Sequence, residues 1–185
     1  MGYSITFGGG NDTRNTWTNW NLLPESPPVV PTPKPKTNYV DIPGRVKGPI
    51  DMTAVPFGRQ TYERITGSWN FIMADDYWHN ATRFTTFNQI QNWLHGRVTW
   101  MRLEEDPSHL FNGRFTVDPP SSGMGPFVVR VNFDLEPIRY NGDLSPDVTW
   151  LPDVQSWIDS GEMPDGGISS ITDPEIHAMF ATYNN

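Results

Sequence analysis

The chain has no cysteine in 185 residues, so disulfides and thiolate metal sites are excluded and stability must come from packing or assembly. It also lacks any apolar run of 18 or more residues and any basic-then-apolar start after Met1. A helical membrane span and a cleaved secretory signal are therefore not expected, and the protein reads as one made in a cytoplasm. Hydrophobic residues are scarce at 36%, yet aromatics reach 13% with eight tryptophans, so a few large side chains must supply much of the buried area. Basic residues are missing altogether from 141–185, which holds eight of the 21 acids, whereas 1–140 holds all 13 Lys and Arg and the other 13 acids. The net charge of −8 thus sits in the C-terminal part. A grip on nucleic acid would need the opposite sign in a clustered patch, so tight DNA or RNA binding is not expected.

What is abundant is proline. Eight of the 18 prolines lie between Pro24 and Pro49, which rules out helix there and most interior strand positions. The same stretch carries Val29, Val30, Tyr39, Val40, Ile42 and Ile50, more apolar weight than a disordered tether normally has. Two readings fit: an extended arm over 24–53 that crosses a neighbouring subunit, or a long surface loop folded back on its own domain.

Periodicity defines the rest of a body over 1–140. Phe127, Val129, Val131, Phe133 and Leu135 alternate with Val128, Arg130, Asn132 and Asp134 as a half-buried strand does, and Trp69, Phe71 and Met73 repeat the pattern. Arg97–Leu103 reads as another strand, and Asn112-Gly113 as a two-residue hairpin turn. Phe84, Phe87, Ile90, Trp93 and Leu94 recur at helical spacing, with Thr82, Thr85 and Thr86 as candidate caps and Gly96 placed to stop the helix beside His95. The fold class is α+β, mainly β: a sandwich or barrel with one flanking helix.

The composition shift after Tyr140 marks 141–185 as a separate acidic tail. Trp150, Val154, Trp157 and Ile158 form one short apolar stripe, and Ile176, Met179, Phe180 and Tyr183 a second one after Asp173-Pro174. Helices this short are marginal alone, so both stripes are expected to dock, on the body or on another protein.

The ordered blocks SITFGGGNDTRNTWTNWNLLP, PKPKTNYVDIPG, PIDMTAV, TYERITGSWNFIM, FNQIQNWLHGR, LEEDPSHLFNGRFTV and NFDLEP, over roughly residues 3–137, resemble the ring-forming domain of the distal tail protein of long-tailed bacteriophages and prophages, especially those of Gram-positive hosts. The resemblance implies a tail-tube-like β-sandwich or split barrel with one flanking helix, assembled as a hexameric ring around the DNA channel. It implies a structural virion protein made in the host cytoplasm and located in the tail, a hub between the tail tube protein and the tail-tip or baseplate proteins that carry receptor-binding parts. It implies that the Pro27–Thr53 arm packs on the adjacent protomer through Tyr39, Val40 and Ile42, and that Trp69, Phe71 and Phe133 are core. The chain departs from the family after Tyr140, where many members continue into a larger lectin-like domain.

Enzymatic readings are weak. Asp75-Asp76 and Glu104-Glu105-Asp106 are carboxylate clusters, but adjacent strand residues face opposite ways and such runs usually form solvated turns. His79, His95, His109 and His177 show no metal-ligand spacing, and Gly8-Gly9-Gly10 lacks the Lys-Ser or Lys-Thr of a phosphate loop, so no metal and no cofactor are expected. The alternative from another class is a carbohydrate-binding module of a tail fibre or adhesin, with Trp17, Trp20, Trp78 or Trp150 stacking on sugar rings.

Overall fold

The computed structural model describes residues 3–9, 12–40, 50–52, 61–73, 80–120, 127–147 and 149–151. Its centre is the pair formed by β6 (Ile65–Met73) and β9 (Val128–Leu135), joined antiparallel from Ile65↔Leu135 to Ile72↔Val128. Alternation puts Ile65, Trp69, Phe71 and Met73 on one face with Val129, Val131, Phe133 and Leu135, and all are buried. Removing each such side chain from water stabilises by about 1.5–3 kcal/mol. Gly67 faces the same way, and the Phe133 ring occupies the space a side chain there would take while stacking on Trp69 at 4.1 Å between centroids.

Around this pair run β1 (Ile5–Gly9), β2 (Asp12–Asn15), β3 (Leu22–Pro24), β7 (Val98–Leu103), β8 (Asp106–Asp118) and β10 (Tyr140–Asn141). The order is β2-β1-β7-β8-β9-β6-β3, with β10 on β8, all antiparallel. The strands form one curled half-barrel sheet, so the mainly-β expectation with one helix holds. Its last strand, β3, is three residues long and ends in Pro24, which blunts that edge against further pairing.

Helix α1 (Asn80–Leu94) lays Phe87, Ile90 and Leu94 into the core formed by the concave-side residues of the sheet. It ends as the sequence predicts: Gly96 takes φ +77° and donates to the Phe115 carbonyl at 2.7 Å, a conformation that suits glycine. The cap expectation fails, because the helix starts at Asn80 and Thr82, Thr85 and Thr86 all lie inside it.

Two strands depart from the expected patterns. β7 does not alternate: Thr99 to Leu103 are all buried, because both faces are covered. Met101 and Leu103 join the main core, while Trp100 points to a second cluster with Leu110, Ile138, Tyr140 and Leu151. Asn112-Gly113 is no hairpin; β8 runs straight through it, and a Cβ on Gly113 would lie 2.4 Å from the Asp134 carbonyl oxygen. Glycine serves close approach of β9 there, and the turn between β7 and β8 is at Glu104-Glu105 instead.

The second cluster also bears on the domain boundary. After β9 the chain stays on the same edge of β8, Glu136 N donating to the Asn112 carbonyl, and past Pro137 it resumes pairing as β10. Leu151 is buried against this segment, so packing on the body continues beyond the expected boundary after Tyr140.

Candidate assembly surface

The proline-rich segment leaves the sheet in stages. Glu25 N donates to the Asn70 carbonyl, the Trp69 indole Nε1 donates to the Val29 carbonyl at 3.1 Å, and Val30 rests against the main core. Past that point the outgoing and returning chains pair with each other. Glu63 N donates to the Lys34 carbonyl and Lys36 N to the Thr61 carbonyl, both at 2.8 Å, with Pro35 opposite Tyr62 between them. Proline fits there because both ladder bonds come from its neighbours. Further out, β4 (Tyr39–Val40) pairs with β5 (Ile50–Asp51) as a separate two-stranded sheet, and Met52 N donates to the Asn38 carbonyl.

The result is a long ribbon rooted at the sheet edge. Val29 is 66% exposed and Tyr39 59% exposed. From Lys34 to Tyr39 every described residue is exposed, although the pairing itself is regular. A lone two-stranded ribbon is marginal in water and gains independent stability only when an apolar surface covers it. Of the other arm residues singled out in the sequence, Val40 and Ile50 form the β4–β5 pair, and Ile42 lies outside the described residues.

The base of the ribbon meets the second cluster. Tyr62, on the returning chain, packs against it, as do Leu144 and Trp150. The cluster is held to β8 by a polar clamp. Arg139 binds Asp147 through both Nε and a terminal nitrogen, and His109 Nδ1 lies 2.5 Å from Asp106 with Nε2 3.6 Å from Asp147. Burial would push the Asp147 carboxyl up, but hydrogen bonds from Thr149 and Arg139 outweigh it and hold the group below the ordinary carboxylate value. Burial, then the neighbouring Glu136 carboxylate, pushes the Tyr140 phenol far up, so its hydroxyl stays protonated and donates to Glu136 at 2.8 Å. Trp150 also lies under Arg139 at 4.5 Å; it is the one residue of the two C-terminal stripes that the structure places. Val154, Trp157, Ile158, Ile176, Met179, Phe180 and Tyr183 lie outside the described residues.

Sugar-stacking geometry is poor at the candidate tryptophans. Trp20 is buried, Trp17 and Trp150 are half-buried, and Trp78 lies outside the described residues. An open cleft of about 420 Å³ is lined by Arg14, Asn19, Trp20, Gln89, Asn92 and Trp93. Arg97 sits 4.3 Å from the centre of the Trp93 ring, and Asp12 ties the two together by accepting from Trp93 Nε1 and Arg97 at 2.8 Å. These contacts brace the end of α1 against β2. The carboxylate cluster is likewise structural: Glu104 accepts from Ser4 N and Oγ, and Asp106 belongs to the clamp. Asp75 and Asp76 lie outside the described residues, and no metal-binding group of three or more His, Asp or Glu occurs among the described ones.

No protein-family model matches the sequence, and no curated protein matches it either. Among solved structures the chain is similar to the Dit protein (gp 19.1) of phage SPP1, described as a paradigm of the hub adsorption apparatus in phages infecting Gram-positive bacteria. The likeness has a TM-score of 0.53 at 15% identity and covers 74% of this chain. It covers 52% of the SPP1 protein, so the chain matches about half the length of that relative. The fold is Dit-like.

Proposed function

We propose that the chain is a structural subunit of a phage tail hub, forming a ring, expected to be hexameric, between the tail tube protein and the tail-tip or baseplate proteins. The observation that carries this reading is a Dit-like sheet from which a regular but exposed ribbon projects. Such a ribbon is hard to explain in an isolated monomer and simple to explain if each copy lays its arm, through Val29, Tyr39, Val40, Ile42 and Ile50, on the next. A head-to-tail contact of this kind closes into a ring when the rotation between copies divides a full turn. The subunit belongs in the virion tail under this reading, with DNA passing through the ring and little affinity of the wall for phosphate.

Negative-stain microscopy of the purified full chain tests it. Sixfold rings with a central hole support the hub; a strictly monomeric protein at tens of micromolar, about the range of weak assembly, defeats it. Linear duplex at low salt should show no electrophoretic shift.

A further inference from the structure

The open cleft of about 420 Å³ has walls of uncommitted amides and an aromatic floor. Gln89, Asn92 and Trp93 stand three and four residues apart, so α1 presents them as one stripe, facing Arg14 of β2 and Asn19 and Trp20 of the turn after it. The two indoles meet edge-on at 5.8 Å. Gln89 and Asn92 are exposed, and their side-chain amides have no hydrogen-bond partner among the described residues; Asn19 uses only its Oδ1, as an acceptor. Charged residues make up 18% of the chain, yet the only one in α1 is Arg83, which is buried. Outward helix faces usually carry charge, whereas contact surfaces are depleted of Lys, Glu and Asp.

The root of the arm has the matching chemistry. Residues 26–33, Ser-Pro-Pro-Val-Val-Pro-Thr-Pro, hold four prolines and no charge. Pro27, Val29, Pro31 and Thr32 are exposed, while Pro28 and Pro33 are buried and Val30 rests on the core. Within 26–33 only the Val29 carbonyl accepts a hydrogen bond from a described residue, Trp69. Proline-rich segments keep unpaired carbonyls, and aromatic-lined grooves recognise them. We infer that the cleft between α1 and the turn after β2 seats the outward side of residues 26–33 of a second copy of this chain. Trp20 and Trp93 meet the prolines, and the amides of Asn19, Gln89 and Asn92 donate to the carbonyls. A second copy is required because Trp69 and the core fix the segment in its own chain, and no residue of 26–33 lines the cleft. Proline holds the segment extended in advance, so little conformational freedom is lost on docking. Seat and segment are different patches, which makes the contact head-to-tail. The inference rests on the arm-to-neighbour contact proposed above and adds a root contact to the distal one.

Because the chain has no cysteine, single-cysteine variants of the full-length protein test it cleanly. Pro31→Cys and Asn92→Cys chains, mixed equally and mildly oxidised, should join at least about fivefold more than Pro31→Cys with Val98→Cys, an exposed position on β7. A chain carrying both Pro31→Cys and Asn92→Cys should give ladders of joined copies. Gln89→Glu with Asn92→Asp changes two exposed helix positions, so circular dichroism should stay the same. The concentration needed for rings should rise about tenfold, because the new carboxylates must lose water against a neutral, proline-rich partner. Equal joining to Val98→Cys, an internal disulfide in the double variant, or an unchanged ring threshold overturns the inference. Microscopy of the unsubstituted chain is scored separately. Rings without joining of Pro31→Cys to Asn92→Cys overturn this seat and leave the hub reading intact, whereas joining without closed rings supports the seat and defeats the ring.

Discussion

Replacing Gly67 with alanine should destabilise the protein, although the same change in an open strand would be harmless or helpful. A Cβ at Gly67 would stand 2.4 Å from Phe133 Cζ and 3.0 and 3.1 Å from the two ε carbons. Carbon contacts are comfortable from about 3.5 Å, so the ring must move by roughly 1 Å. It cannot swing away at no cost, because it stacks on Trp69 at 4.1 Å and its residue pairs with both β6 and β8. Overpacking of this kind costs about 1–3 kcal/mol. Alanine recovers about 0.4–1 kcal/mol by restricting the unfolded chain. The net loss should be about 1–2 kcal/mol, which for a chain of this size lowers Tm by roughly 2–8 °C. Urea and thermal unfolding followed by tryptophan fluorescence measure it. In a Phe133→Leu background the obstruction is gone and Gly67→Ala should become stabilising, a change of sign that a double-mutant cycle reads directly. If Gly67→Ala is neutral or stabilising with Phe133 intact, the ring is not seated over that glycine and the packing described for the β6–β9 pair is wrong.

Gly96→Ala makes a useful contrast: nothing lies within 4 Å of the new Cβ, so only the positive φ opposes it, and urea unfolding should show a loss of about 1 kcal/mol that no second-site change relieves. Replacing residues 37–60 with Asn-Gly should join Lys36 to Thr61 as a tight hairpin, since their backbones are already bonded at 2.8 Å. Circular dichroism and Tm should stay close to those of the full chain while rings vanish from micrographs; rings that persist would make the arm a mere surface loop. Asp147 has a folded pKa below its unfolded value, so the stability it adds is present above the ordinary carboxylate range and lost as pH falls through the folded value. Urea midpoints should therefore drop in acid, and drop less steeply in Asp147→Asn, which starts lower at neutral pH. Tyr140→Phe removes a buried donor from Glu136 and should cost about 1–3 kcal/mol in the same assay.

The parts of the fold that were legible in the sequence are those where one face is buried and the other wet. β6 and β9 alternate cleanly because helix and core cover only one side, and the stripe of α1 is readable for the same reason. β7 was legible as a strand but its double cover was not, because the cover on its far side comes from Ile138, Tyr140 and Leu151, isolated apolar residues with no rhythm of their own. Charge was the louder signal after Tyr140, and composition alone does not reveal that Leu151 packs with Ile138 and Tyr140. Asn112-Gly113 misled because glycine answers two different needs, a turn or a close neighbour, and a single sequence does not separate them. Prolines and stray aliphatics single out 24–53 in the sequence, but nothing in the spelling reveals that Pro35 meets Tyr62, so the pairing of the returning chain was missed.

The pairing of β1 with β7 has a consequence for how the protein comes into being. Ile5 meets Leu103, so the first strand off the ribosome waits for the better part of a hundred codons before its inner neighbour exists. At bacterial-to-eukaryotic elongation speeds of about 5–20 residues per second, that is roughly 5–20 s during which Ile5 and Phe7 have no floor to rest on. The whole arm is translated inside that interval, ahead of β6, the strand that roots it. Each nascent chain thus carries its exposed ribbon before it owns a finished sheet. Non-local closure of this kind is slow, and it sets the order of events: the ribbon is made first and the sheet closes later.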